Sequence, residues 1–392
     1  MRPDDLIAEA NRQFTICNAC RYCEGLCSVF PSMELRTAFT EGDVSHLSAL
    51  CHDCRACVDA CPFSPPHELA VNIPELMATA RTDTFERYAR PRFLWRLLTR
   101  PLSLAVVVAL TLALFTIVAA STGNPTRIVR ADHGPASFYH VVPFLWLVIP
   151  AGIVSALAVA AIAAGAYAFI RETGGARRLL SAGALLRAAS DALGLRNLRG
   201  GGGGCRYPGD TRSPIRRYLH HAVFYGFMTM FAATVAAAVE QDLLGIQPPY
   251  SLLSVPVALG VLGGIATTAG CIGFVMLGVR SRDTRKSDQV RSLDRTFTVL
   301  LAAAVVTGLL TLVLRRTAAM GPALILHLGV LGGLYVAFPY SKFVHWVYRY
   351  LALVRSSAER TPEPTPHGPA DRRLSNELID TPTLVHAEKA DA

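Results

Sequence analysis

Charged residues are scarce in this chain of 392 residues, at 17%, whereas hydrophobic residues make up 52%. Soluble globular domains carry about 25% charged residues, so this balance excludes an ordinary soluble protein and indicates membrane-spanning segments. The net charge of +9 does not indicate nucleic-acid binding, because the basic residues flank apolar runs. We therefore expect the lipid bilayer as a partner, and no nucleic acid.

The sequence also lacks a recognisable set of catalytic residues for converting a substrate. No acid–base dyad and no nucleophile paired with a base stands out, so substrate chemistry is expected on a partner protein. The five glycines at 200–204 are not followed by the Gly-Lys-Ser/Thr of a phosphate-binding loop, and no strand is predicted before them. The residues before the first cysteine have no apolar core, so we expect no export signal there. These features predict a carrier of cofactors rather than an enzyme with its own substrate site.

What is abundant is cysteine, and it is concentrated near the amino terminus. Eight of the ten cysteines form two copies of the spacing Cys-x2-Cys-x2-Cys-x3-Cys, and Pro62 follows the second copy. In two-cluster ferredoxins three closely spaced thiolates bind one cluster, and the fourth binds the other. The spacing therefore predicts two [4Fe–4S] clusters, one held by Cys17, Cys20, Cys23 and Cys61, the other by Cys51, Cys54, Cys57 and Cys27.

Two alternatives to iron–sulfur clusters remain at this point. Structural zinc uses four ligands, usually as pairs of Cys-x2-Cys, whereas each run here offers four cysteines of its own. A disulfide framework needs an oxidising compartment. The pairing of the fourth ligands is open, because Ser28 rather than proline follows Cys27. Cys205 and Cys271 are predicted to be inert thiols.

Six apolar runs follow the cysteines. Each is long enough, or nearly so, to cross a hydrocarbon layer of about 30 Å as a helix. Lys and Arg are concentrated in the segments 81–100, 171–218 and 280–295, which predicts that these segments and both termini are cytoplasmic. The runs cover approximately residues 102–121, 141–170, 221–239, 252–279, 297–314 and 323–339, and residues 344–353 are expected to continue the last as an interfacial anchor.

The predicted fold is all-α, because apolar residues after the last cysteine of the cluster motif recur at helical spacing, as at Leu69, Ile73, Leu76 and Ala80. We expect a cytoplasmic two-cluster ferredoxin-like domain at 1–95 and a six-span haem-binding membrane domain at 96–355. A disordered tail at 356–392 is rich in proline and charge. The cytoplasmic loop 171–218 is expected to hold an amphipathic helix with Leu186 and Leu193 on its apolar face.

Histidines at the ends of the apolar runs are candidates for haem ligands, because ionisable residues in membrane spans are rare and usually functional. If residues 327–345 form one helix, His327 and His345 lie about 27 Å apart and cannot bind one iron. We predict a cytoplasmic-side haem b held by His345 with His220 or His221, and a second, weaker site formed by His140 and His327. The alternative is that these histidines merely lie at the interface. His46, His52, His67, His133, His367 and His386 are expected to be ordinary surface or loop residues.

Several segments resemble one known family, that of tricarballylate-utilisation protein B, also labelled citrate-utilisation protein B. The resemblance covers most of residues 10–350 and rests on the segments 17–27, 65–74, 200–207 and 217–221. It implies two [4Fe–4S] clusters, a haem b and a soluble FAD-containing dehydrogenase partner. The expected function is to re-oxidise the partner's flavin, with tricarballylate dehydrogenase as the expected partner, and to pass electrons to membrane quinone in the cytoplasmic membrane.

The last run is similar to the last helix of the respiratory nitrate reductase gamma subunit in its His327-x17-His345 spacing. The partner helix there carries two histidines ten residues apart, whereas here Met230 and Phe231 stand ten residues after His220 and His221. That departure weakens the prediction of a second haem unless Met230 or His140 supplies the ligand. Two other functions stay open: a redox module for flavin-dependent hydroxylation of a corrin precursor in cobalamin synthesis, and a non-catalytic cluster-binding redox sensor.

Overall fold

The computed structural model describes residues 3–27, 29–122, 125–132, 134–174, 181–202, 204–206, 211–280 and 288–360. Within them the chain is almost entirely helical, and the one sheet is a two-stranded antiparallel pair, β1 (Cys205–Arg206) and β2 (Arg212–Ser213). The all-α prediction is therefore confirmed.

The amino-terminal region consists of six helices that enclose the cysteine loops. Helix α3 begins with a capping box, in which Thr40 and Asp43 satisfy each other's backbone N–H groups. Asn72 caps α5 by accepting from the N–H of Glu75. The six helices are α1 (Pro3–Cys20), α2 (Phe30–Met33), α3 (Glu41–Leu50), α4 (Ala56–Ala60), α5 (Ile73–Tyr88) and α6 (Arg92–Leu98).

Six helices are long and apolar enough to cross a membrane, as predicted, so the chain is a multi-pass membrane protein. Their outward faces remain largely exposed, as expected for lipid contact. Helices α12 to α15 pack in sequence, and α7 packs against α15. The spans are α7 (Pro101–Thr122), α10 (Phe144–Thr173), α12 (Ile215–Ala238, extended to Leu243 by a π-helical turn), α13 (Val255–Arg280), α14 (Asp288–Leu314) and α15 (Met320–Ala337). Two short helices, α8 (Pro125–Ile128) and α9 (Ser137–Val141), lie between α7 and α10.

Span six does not continue to His345, which corrects the prediction that residues 344–353 extend the same helix. Helix α15 ends at Ala337, and two 3-10 turns (Phe338–Tyr340 and Lys342–Val344) precede a separate helix, α16 (His345–Glu359). Pro339 explains part of the break because proline cannot donate to the helical ladder. The assumption of one helix, on which the estimate of about 27 Å between His327 and His345 depends, is therefore wrong.

Helix α16 packs against α2, α3 and α11. It buries Tyr348, Leu353 and Ser356, and its last residue Glu359 pairs with Arg36 of the amino-terminal region. The predicted disordered tail is thus wrong for residues 356–359, and its remainder from 361 lies outside the described residues. One apolar core also extends across the predicted boundary at residue 95, from α1 and α3 to α16.

The loop 171–218 contains the expected amphipathic helix, α11 (Ala182–Leu193). It docks on α16 through Ala184 and Ala188, while Leu186 and Leu193 are exposed. The predicted apolar face is therefore left free on this chain, as contact with lipid would require. A 3-10 segment (Arg196–Gly202) follows and leads into β1.

Candidate functional site: two cysteine sets beside a histidine pair

Left-handed residues shape the cysteine loops. Arg21 has φ 56° between Cys20 and Cys23, and Asp53 and Arg55 have φ 52° and 63° on either side of Cys54. Such φ values are uncommon in residues other than glycine, and they cluster at functional sites. Here they turn the chain back so that cysteines three residues apart lie on one side of the loop.

The structure groups the eight cysteines into two sets of four. Cys17, Cys20, Cys23 and Cys61 line one cavity together with Pro62 and Phe63; we call them the first cysteine set. The thiol of Cys57 lies within electrostatic range of Cys27, Cys51 and Cys54, which together form the second cysteine set. In each set the fourth member comes from the other sequence run, as the motif predicts.

Burial makes the ionised form unfavourable for at least one thiol of each set, Cys17 in the first and Cys27 in the second. Burial raises the pKa of Cys17 to about 12, with further contributions from Cys23 and Cys61. Burial likewise raises the pKa of Cys27 to about 12, and Cys51 adds to the shift. Because metal binding requires thiolates, a cationic core would relieve this cost.

Neither set has the geometry of a single-ion site. No three Cys, His, Asp or Glu side chains in the described ranges are grouped closely enough to hold one metal ion. A tetrahedral zinc site needs that grouping, because Zn–S bonds of about 2.3 Å bring the sulfurs to within about 3.8 Å of one another. In a [4Fe–4S] cluster each thiolate binds a different iron, so the sulfurs stand farther apart. The arrangement fits a multi-iron core better than zinc.

The loops that carry the two sets differ in exposure. Tyr22 of the first loop is 73% exposed, so this set approaches the protein surface. Cys51 of the second set is buried, and Cys57 lies close enough to Cys23 for their charges to interact, so the sets are neighbours. The first set faces outward, and the second faces the membrane helices.

The rings of two histidines, His220 and His345, are in contact, and we call these residues the histidine pair. Their ring centroids are 6.1 Å apart, with an interplanar angle of 72°. Two imidazoles that share one metal ion have ring centroids about 5–6 Å apart, because each metal–nitrogen bond is about 2.0 Å long. The Nδ1 of His345 lies 2.7 Å from the carbonyl oxygen of Lys342. This contact assigns the proton to Nδ1 and leaves Nε2 for a metal.

The other candidate histidines have different partners. His221 packs on Tyr225, at a centroid distance of 5.6 Å, so the contact favours His220 as the partner of His345. His140 pairs with Asp132 at 2.7 Å, outside the spans. His327 lies 3.2 Å from Thr307 Oγ1, on α14. The contacts of His140 and His327 give no support to a site that they share.

The sequence did not reveal the arginines that join the second cysteine set to the histidine pair. Arg216, one turn before His220, donates to the carbonyl of Asp53. Arg349, one turn after His345, donates to the carbonyl of Cys51 at 2.8 Å. Their spacing of four residues from each histidine was the available signal, since it places arginine and histidine on one helical face.

His46 is buried in a helix, which corrects its assignment to the surface or a loop, whereas His52 lies in a loop as expected but is buried there. His46 lies in α3, 3.9 Å from Glu359, and the Nδ1 of His52 is 2.7 Å from the carbonyl of Leu50. His67 is exposed, as expected. His133, His367 and His386 lie outside the described residues.

The glycine-rich segment lies over the second cysteine set. A Cβ on Gly200 would be 3.8 Å from the Cβ of Cys54, and Gly204 has φ +96° with Ser213 O only 2.5 Å from where its Cβ would stand. Cys205 is buried in the same cluster as Cys54. The glycines thus allow a close backbone approach and a turn that other residues would strain. Cys271 is buried separately, in α13.

Comparison with known proteins covers nearly the whole chain. Residues 10–86 match the family model described as the Fer4-like domain of citrate utilization protein B, and residues 96–365 match that of citrate utilization protein B itself. The chain is 38% identical over 358 residues to citrate utilization protein B of Escherichia coli, covering 90% of this chain and 92% of that protein. No solved structure matches. With six spans and a Fer4-like iron–sulfur region, the chain belongs to the citrate utilization protein B family.

Proposed function

We propose that the protein is a membrane electron-transfer subunit in the use of citrate, tricarballylate or a related acid. It accepts electrons from the reduced FAD of a soluble dehydrogenase, for which tricarballylate dehydrogenase is the leading candidate, and delivers them to quinone. The observation that carries the proposal is the order of the sites, from the first cysteine set, whose loop carries the exposed Tyr22, through the second set, which contains the buried Cys51, to the histidine pair.

The residues present fit two [4Fe–4S] clusters, one in each cysteine set, and one haem b at His220 and His345. When bound, these groups supply one-electron carriers that divide the electron pair of a reduced flavin and pass it to quinone. The cysteines hold the first two groups, and His345 is oriented by Lys342. We keep a second haem at His140 and His327 out of the proposal because each has another partner.

The partner flavoprotein is proposed to dock over the first cysteine set. Tyr22, between Cys20 and Cys23, is exposed there, and Arg21 pairs with Glu24 and Glu34 beside it. Because Tyr22 and its neighbours are the most exposed part of either cysteine loop, a redox partner can approach closest at this point.

The protein is proposed to lie in the cytoplasmic membrane with both termini in the cytoplasm. The amino-terminal helices α3 and α5 pack against α10, and α5 also contacts α14. The flanking segments at these span ends hold most of the Lys and Arg, as the positive-inside rule expects of a cytoplasmic face.

The test begins with iron, acid-labile sulfide and haem measured per purified chain in detergent. The protein is then reduced, and a soluble quinone analogue is added while the visible spectrum is recorded. We expect the reduced haem and cluster bands to disappear, and His345→Ala to lose the haem band while keeping iron and sulfide. The His140→Ala variant is the matched control and should keep the haem. A colourless, zinc-rich protein, or a reduced protein that quinone does not oxidise, would overturn the proposal.

A further inference from the structure

Two arginines from opposite ends of the chain converge on one carbonyl of the second cysteine loop. Arg81 of α5 donates to Cys51 O at 2.6 Å and to Ser48 O at 3.0 Å. Arg349 of α16 donates to Cys51 O at 2.8 Å and to Ala49 O at 3.2 Å. Arg216 lies on the neighbouring carbonyl of Asp53. Three cations therefore surround the backbone from Cys51 to Asp53.

Neither Arg81 nor Arg349 has a carboxylate within salt-bridge distance among the residues that the structure describes, although each is at least partly buried. Like charges close together in a poorly solvated place repel each other, and buried charges are normally paired. Around the first cysteine set, by contrast, the arginine is paired with carboxylates. Arg21 is half exposed there and pairs with both Glu24 and Glu34.

Helix capping explains only part of this arrangement. The carbonyls of Ser48, Ala49 and Cys51 end α3, and a cation there is favoured by the helix dipole. One arginine would serve that purpose, whereas a second adds repulsion at the same carbonyl. The carboxylate of Asp53 already lies close to two other arginines, so it does not neutralise all of these cations. The second cysteine set is the group that would carry the balancing negative charge once it holds a cluster.

We propose that Arg81 and Arg349 raise the reduction potential of a cluster in the second cysteine set above that of one in the first. Four thiolates around an iron–sulfur core are net negative, and reduction adds one further negative charge. Positive charge that is not already neutralised stabilises the reduced state more than the oxidised state. One electron leaving the first cysteine set for the second is then transferred downhill, toward the histidine pair. This inference rests on the function proposed above.

The test is a potentiometric titration of the full-length protein in detergent, followed by electron paramagnetic resonance. The signal of the second cluster is identified as the one that Cys57→Ser alters. We expect Arg349→Gln to shift the equilibrium constant for its one-electron reduction by about tenfold toward the oxidised form, or about 59 mV. The first cluster's midpoint should not move, and Arg81→Gln should act in the same direction.

Two further variants separate charge from structure. Arg349→Lys keeps the charge but not the forked hydrogen bonding, so it should restore most of the potential. Arg96→Gln removes an exposed arginine that pairs with Glu86 and should shift neither midpoint. If Arg349→Gln only lowers thermal stability, the arginine is a helix cap and the inference fails. If no pair of cluster signals is found in the unmodified protein, the proposed function fails first.

Discussion

The contact between α12 and α13 depends on glycine, and Gly226→Ala tests it. A Cβ on Gly226 would stand 2.5 Å from Thr267 Oγ1 and 2.8 Å from Gly263 O. Ordinary contact begins near 3.4 Å, so the two helices would have to separate by about 0.6–0.9 Å in a close-packed interface. Overpacking of this kind costs about 1–3 kcal/mol. Small residues that let helix backbones approach are a common basis of membrane helix packing.

The same displacement would reach the histidine pair. His220 lies six residues from Gly226 on α12, about 9 Å along the helix axis. Moving α12 away from α13 therefore changes the separation of His220 from His345, which is on another helix. We expect Gly226→Ala to melt at a lower temperature in detergent and to retain less haem per chain.

The control is Gly278→Ala on α13, where an added Cβ meets nothing within 4 Å. This variant should be neutral or slightly more stable, because alanine is favoured over glycine inside helices by about 0.5–1 kcal/mol. The reasoning is refuted if Gly226→Ala melts at or above the temperature of Gly278→Ala, since the two substitutions differ only in the contacts that they create.

Three further predictions follow from the sites described. Cys57→Ser should lower iron and sulfide per chain by about half, because one of two clusters is lost, whereas Cys271→Ser should leave both unchanged. Glu359→Gln removes one charge from a buried pair with Arg36, which keeps Asp43 as a second partner, so the expected cost is about 1–3 kcal/mol measured by thermal unfolding. The exposed Glu68→Gln should be neutral, and an equal effect of both would contradict the burial argument. His345→Gln should abolish the haem absorption band while electron paramagnetic resonance of the clusters persists, and an unchanged band would exclude His345 as a ligand.

Much of the cluster region is predictable because cysteine spacing is a local property. Cysteines three residues apart in a loop can face one point, so the spacing alone groups Cys17, Cys20 and Cys23. The spans are predictable for a similar reason, since each needs only a continuous apolar run. The exchange of Cys27 and Cys61 between the sets follows from the same motif. In the structure Cys61 lines the cavity of the first set, and Cys27 lies beside Cys51 of the second set.

Local patterns mislead where distant segments meet. The aromatic and basic sequence of helix α16 is typical of a segment at the membrane surface, and its last residues read as part of a polar tail. The helix packs on α3 and α11 and pairs with Arg36, and no local pattern reveals these contacts. His46 and His52 are also buried, which their positions in the sequence do not reveal.

The sequence by itself determined the composition of the site: eight thiols in two repeats, six apolar spans, and a small number of histidines at the span ends. Only the tertiary structure decided which histidines face each other and which charges surround the second cysteine set. Arg81 and Arg349 are 268 positions apart in the chain and meet at one carbonyl oxygen. Contacts of that kind depend on the packing of whole helices, which spacing along the chain does not encode.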